Sequence, residues 1–182
     1  MNIALIGITG RVGSRIADEL LRRGHQVTGI ARNPDEVVTR AGLAARQGDA
    51  TDPEGLAPLL AALRQAGVPR LLVVGGAGSL RVAPGVMLVD TAEFPDAYKP
   101  EARAGVVFLD TLRREKTLDW TFLSPSALFE PGERTGKFRI GGDELLADAD
   151  GKSWISMEDY AIALVDELES PRHAQRRFTV GY

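Results

Sequence analysis

Short apolar runs alternate along this chain with longer stretches in which apolar residues recur every three to four positions. Residues 2–6 (NIALI) are a brief apolar run ended by Gly7, the pattern of a strand buried on both faces. Residues 11–23 predict a helix: Val12, Ile16 and Leu20 fall at i, i+4 and i+8, with Ala17 and Leu21 beside them, and Gly24 closes it. Residues 26–31 (QVTGIA) predict a second strand, Pro34 opens a short helix ending near Gly42, and 43–47 predict a third strand. A helix starts at Asp52-Pro53-Glu54, with proline early, where its missing N–H is not needed. Residues 70–75 (RLLVVG) predict a further buried strand, and the glycine- and proline-rich stretch 76–98 a long loop. A helix follows over 99–117, with Ala102, Val106, Leu109 and Leu112 or Arg113 on one face, then a strand over 119–124. A loop with Pro125, Pro131 and Gly132 leads to short strands at 137–140 and 144–148. Ser156-Met157-Glu158-Asp159 reads as a capping box in which Asp159 reaches back, opening a helix with Tyr160, Leu164 and Leu168 at spacing four. The last predicted strand is 177–181.

Strands alternate with helices through residue 124, which predicts an α/β, doubly wound parallel sheet covered on both faces. The last third, about 125–182, adds a small strand–helix portion over the C-terminal edge of the sheet, where ligands bind in such folds. No repeat, low-complexity tract or dividing linker is present, so 1–182 reads as a single domain. One stretch is too short for this plan. Between Asp49 and Arg70 lie only 20 residues, room for one helix, whereas a doubly wound sheet needs helix, strand and helix there. The absent strand belongs beside the first, where strand order reverses, and an empty slot would expose unpaired backbone and a flat apolar edge. The expectation is that a strand–helix unit of roughly two to three dozen residues is missing near 55–64.

Composition narrows the chemistry. With 182 residues and 44 % hydrophobic content, one sizeable core is within reach. A net charge of −3 and isolated basic pairs (Arg22-Arg23, Arg176-Arg177) argue against a nucleic-acid partner. The absence of cysteine removes disulfides, thiol nucleophiles and thiolate metal sites. No metal-ligand spacing stands out, and His25 and His173 sit in predicted turns without an evident partner, so both read as solvated. No signal peptide or membrane span is read, and a cytoplasmic monomer or homodimer acting on a small-molecule acceptor is expected.

The glycines after the first strand point to a phosphate. In GITGRVG, Gly7 permits a sharp turn, Gly10 lets backbone approach a pyrophosphate, and Gly13 lets the helix pack against the sheet. The helix then begins with free N–H groups at its positive dipole end. Candidate cofactor-binding residues here are Gly7, Thr9, Gly10, Arg11, Val12 and Gly13. After the second strand, an acidic residue would bond a ribose 2′-hydroxyl, whereas an arginine accommodates a 2′-phosphate. This chain has Arg32 and no acid until Asp35, which favours NADP(H) over NAD(H); the alternative for Arg32 is a solvated surface side chain. Asp49, with Ala50, is placed to meet an adenine amino group or to cap a turn.

Strand-GITGRVG-helix, GIARNP, GDATDP and LLVVGGAGSL together resemble the atypical short-chain dehydrogenase/reductase superfamily. Within it, DTAEFPDAYKPEA, DWTFLSPSALFEPGERTGKFRIGGDELL and GKSWISMEDYAIALVDELE resemble the NAD(P)H-flavin reductase and biliverdin-IXβ reductase-like group, over almost the whole chain. The resemblance implies a Rossmann domain that binds NAD(P)H, with Gly75, Gly76, Pro125 and Ala127 as further cofactor contacts. It also implies Ser79 as the catalytic serine and Tyr98 as the tyrosine candidate. The superfamily's lysine four residues after the tyrosine is absent: Tyr98 is followed by Lys99, and position 102 is alanine. A flavin or similar planar acceptor needs little more than stacking on nicotinamide, so a flavin reductase tolerates this loss better than an alcohol dehydrogenase. Three functions are consistent with this: an NAD(P)H-dependent reductase of a flavin-like acceptor, a non-catalytic NADP(H) redox sensor, and a sugar-nucleotide epimerase or dehydratase. Ser79 as a plain loop hydroxyl, Tyr98 and Lys99 as a helix start, and Phe129 as core or pocket wall are the competing structural readings.

Overall fold

The order of strands, more than their number, positions the site. The computed structural model describes residues 1–48 and 56–182. Its elements are β1 (Asn2–Ile6), α1 (Arg11–Arg22), β2 (Gln26–Ala31), β3 (Leu43–Gln47), α2 (Leu56–Gln65), β4 (Arg70–Val74), β5 (Arg81–Ala83), β6 (Val86–Met87), α3 (Lys99–Arg114), β7 (Asp119–Ser124), β8 (Leu128–Glu130), β9 (Arg139–Gly141), β10 (Trp154–Ser156), α4 (Met157–Glu169) and β11 (Arg176–Gly181). Parallel strands predominate, as the strand–helix alternation predicts. One sheet has the order β1-β2-β3 and a second β4-β7-β11-β9. All neighbours are parallel except β9, which runs antiparallel to β11. Small pairs β8/β10 and β5/β6 complete the chain.

β1 and β4 are therefore inner edges, and among the described residues no strand pairs with the free side of either. The two sheets nevertheless share one apolar core. Ile3, Leu5 and Leu72 pack with Ile16, Leu20, Leu123, Tyr160, Val165 and Phe178, and α1 lies against α4. The face of the second sheet under α2 and α3 holds a separate cluster of Leu60, Leu109, Leu112, Trp120 and Phe122. Residues 56–65, within the region where a strand–helix unit is expected to be missing, run as one helix.

Local chemistry explains where the pattern and the structure part. Helix after Pro34 stops at Glu36 as a single 3₁₀ turn, because Asn33 caps it from Asp35 N–H and Val37 is already extended. α3 ends at Arg114 because the Glu115 carboxylate accepts from the N–H groups of Thr117 and Leu118 at 2.7 and 3.1 Å. The loop 76–98 contains the β5/β6 hairpin, turned by Gly85 at φ 75°. Residues 144–148 make one bridge, Glu144 to Arg81, rather than a strand. There Asp148 instead accepts the N–H groups of Asp150 and Lys152 and folds the chain back. Ser156 caps α4 from Asp159 N–H at 3.0 Å, but the Asp159 carboxylate does not reach back. It accepts instead from Thr135 N–H, Gly136 N–H and the Tyr182 hydroxyl. Neither histidine is solvated: His25 is 9 % exposed and bonds Glu169 at 2.8 Å, and His173 bonds Glu167 and stacks on Phe178.

Candidate functional site

The glycine loop leaves β1 through Gly7, whose φ of 77° lies in the region that favours glycine. Gly7 N–H donates to Ile30 C=O and Gly10 N–H to Gly7 C=O, at 3.0 and 2.9 Å. A side chain at 13 is excluded, since a Cβ there would lie 2.1 Å from Gly7 O, so α1 abuts the turn. At Gly10 a Cβ would meet only Gly7 O, at 3.2 Å, so its absence leaves the mouth of the turn clear. α1 begins with no side-chain cap and no acid in its first turn. The N–H groups of Arg11, Val12 and Gly13 precede the first helical acceptor bond, from Ser14 to Gly10. A cradle of uncapped amides beside a missing side chain fits a pyrophosphate. Thr9 lies exposed on the same turn, and buried Ile8 (4 % exposed) plugs the space that a side chain at Gly29 would take.

Arg11 and Arg32 are both exposed, at the start of α1 and just past β2. Among the described residues neither guanidinium has a hydrogen-bond or ion-pair partner. Asp49 and Ala50 lie outside the described residues.

The second cluster gathers at the C-terminal ends of β4 and β7, where Arg177 reaches in from the start of β11. Gly75 N–H donates to Leu123 C=O at 2.8 Å, and a Cβ at 75 would strike the Phe122 ring at 2.0 Å, whereas Gly76 faces open space. Ser79 comes next, half-buried. Its Oγ accepts from Arg177 Nη1 at 3.2 Å, and the same nitrogen reaches Ser124 Oγ at 3.4 Å. Asp143 accepts from Arg177 Nε at 2.7 Å and again from Nη2. Burial pulls the Arg177 guanidinium below its ordinary value, and Asp143 opposes that. Burial pushes the Asp143 carboxyl up, but hydrogen bonds and charge from Arg177 outweigh it and hold the group below the usual carboxylate range. Arg177 had no signal in the sequence beyond being one of a basic pair, because its partners come from β7 and the loops after β4 and β9.

The remaining candidates are dispersed. Tyr98 stands at the N-cap position of α3 without a side-chain capping bond and is 63 % exposed, and Lys99 pairs with Asp96 at 2.7 Å rather than with the tyrosine. Pro125 is buried, and Ala127 N–H is committed to Ser153 Oγ at 3.1 Å, so this amide is not free for a carboxamide. Phe129 packs on Tyr160 with centroids 4.7 Å apart, which is core packing.

A third group was not legible as a unit. The loop 131–137 is clamped over α1 and α4: Arg134 bonds both Glu19 oxygens at 2.9 Å, and Glu158 joins Gly132 N–H to Arg15. Burial raises the Glu19 carboxyl, but hydrogen bonds from Arg134 and Arg23 bring it down to about 2. The clamp closes one side of α1, the helix whose N-terminus forms the anion cradle.

Comparison with known proteins places this geometry. The model of a family described as NAD(P)H-binding matches residues 7–62 and 54–171. The uncharacterised protein YwnB of Bacillus subtilis is 41 % identical over 209 aligned positions, covering 99 % of this chain and 98 % of that protein. Among solved structures, a provisionally named exported protein of Burkholderia pseudomallei is 45 % identical, with a TM-score of 0.89 and all of both chains covered. A provisionally named epimerase of Bacteroides thetaiotaomicron is 38 % identical with a TM-score of 0.91, covering 100 % of this chain and 96 % of that one. A provisionally named NADH-flavin reductase of Streptococcus pneumoniae is 35 % identical with a TM-score of 0.78, covering 100 % and 99 %. No helix among the described residues is long and apolar enough to cross a membrane. With glycine turn, uncapped helix and family match in agreement, this chain belongs to the NAD(P)H-binding family and carries its Rossmann-like fold.

Proposed function

We propose that the protein is an NADPH-dependent reductase of a flavin or similar planar acceptor. The observation that carries this reading is the pairing of an uncapped α1 N-terminus with two exposed guanidiniums, Arg11 and Arg32, that have no side-chain partner among the described residues, and with no acid between β2 and Asp35. The amides of residues 11–13 hold the diphosphate by backbone hydrogen bonds and the helix dipole. Arg32, assisted by Arg11, takes the 2′-phosphate with charge-assisted hydrogen bonds that a ribose hydroxyl cannot match. The bound dinucleotide supplies the hydride chemistry. Ser79 orients a carbonyl or flavin edge. Arg177 occupies one lone pair of its oxygen, which leaves the hydroxyl proton available to donate. The similarity to the Streptococcus protein supports a flavin acceptor; the protein acts as a monomer or homodimer in the cytoplasm.

A second reading, an NADP(H) sensor without turnover, is favoured by the exposed Tyr98 and the engagement of Lys99 with Asp96. An epimerase would need a proton relay that this chain does not write. Purified protein with NADPH and FMN, followed at the nicotinamide absorbance, separates the readings. Turnover with flavin is expected. Saturable NADPH binding without turnover across a panel of acceptors would replace the reductase with the sensor.

A further inference from the structure

We propose that the gap between β1 and β4 is an acceptor site for one parallel β-strand, supplied in trans by a strand–helix peptide. Alternation of hydrogen-bonding groups assigns the free edges. Gly7 N–H points to β2 and Gly75 N–H to β7, so the odd-numbered residues of β1 and β4 face their existing partners. Along a strand, successive residues point their N–H and C=O to opposite sides. Asn2, Ala4 and Ile6, and likewise Arg70, Leu72 and Val74, therefore present N–H and C=O to the gap. Exposure agrees: Ile6 is 47 % and Val74 43 % exposed, although both lie in apolar runs of the kind buried in parallel sheets.

The occupant is set by size and place. YwnB aligns over 209 positions with a chain of 182 residues, so it carries at least 27 residues (209 less 182) where this chain has none. The family model matches in two pieces that overlap at 54–62, which locates the surplus at the start of α2, the helix that leads to β4. A block of that size is one strand and one helix. Both sheets already share a core through Ile3, Leu5 and Leu72, so an inserted strand meets an apolar floor as well as two hydrogen-bonding edges. Its sequence is an apolar run of about five residues, matching the length of its neighbours, followed by an amphipathic helix. This is recognition by β-augmentation, with main-chain hydrogen bonds supplying affinity.

The test uses the full chain and a synthetic peptide with the sequence that YwnB carries in its surplus positions. Binding at one peptide per chain is expected. At a hundredfold excess over Kd, Tm should rise by about 5–10 °C. Amide exchange should slow at Ala4, Ile6, Leu72 and Val74. Ala4→Pro removes one donor on the free side of β1, a place where an edge strand tolerates proline, and should weaken peptide binding at least tenfold. Ile6→Lys is the second variant and should weaken it likewise. No Tm shift and no new exchange protection would overturn the proposal. So would protection of the same four amides without peptide in a dimer seen by sedimentation, which would make a second copy the occupant. None of these readouts involves turnover, so they fail or succeed independently of the reductase assignment.

Discussion

β1 and β7 are both short apolar strands in parallel pairing, yet their surroundings differ. β7 has β4 on one side and β11 on the other, and five of its six residues are buried. Among the described residues β1 pairs with β2 alone, and three of its five residues are exposed. The contrast extends to the turn at the end of each strand. After β7, Ser126 and Ala127 have their polar groups committed to Val180 and Ser153. After β1, the amides of Arg11, Val12 and Gly13 have no partner among the described residues. Pairing on both sides, rather than apolar composition, makes a strand part of the rigid frame. The half that keeps polar groups uncommitted is the half suited to bind.

Substitutions at the two ends of this contrast differ most in effect. Gly13→Ala places a carbon about 2.1 Å from Gly7 O; displacing α1 should cost about 3 kcal/mol or more, measured by urea unfolding, and abolish NADPH binding. Unchanged stability would mean that the turn yields easily. Glu19→Gln, in the clamp, should cost about 3 kcal/mol at neutral pH. The Glu19 carboxyl falls from 4.5 to about 2 on folding, so its contribution is complete above 4.5 and is lost as pH falls from there towards 2. The variant should thus lack that part of the acid dependence between pH 5 and 2, as acid unfolding curves will show.

Within the binding half, Arg32→Ala should weaken NADPH about tenfold, equivalent to about 1.4 kcal/mol, and leave NADH affinity unchanged. Equal losses for both would remove the 2′-phosphate assignment. Ser79→Ala should lower kcat about tenfold with little change in NADPH affinity, read from steady-state kinetics with FMN. The smallest effect is expected at Tyr98→Phe, where the exposed ring predicts turnover within about twofold of the parent. A hundredfold loss would return Tyr98 to the chemistry.

Much of the frame was readable because its causes are local. The stripe at Val12, Ile16 and Leu20 makes α1, and the runs 26–31, 43–47 and 119–124 coincide with β2, β3 and β7. The glycine turn was readable for the same reason: a positive φ and a close helix–turn approach admit few residues other than glycine. The clamp and the Ser79 neighbourhood were not. Arg177 reaches Ser79 across 98 positions and Arg134 reaches Glu19 across 115. The two histidines read as solvated from the sequence, since their carboxylate partners lie on α4 rather than in their own turns.

Periodicity and turn chemistry by themselves determined which segments are strands and helices and that an anion cradle opens the chain, because those depend on spacing within a few residues. Only tertiary structure decided which charges are neutralised, as the pairing of Arg134 with Glu19 and of Arg177 with Asp143 shows. It also decided which strand edges have partners. Burial and hydrogen bonding join residues that the chain holds far apart, and no local pattern records whom they meet.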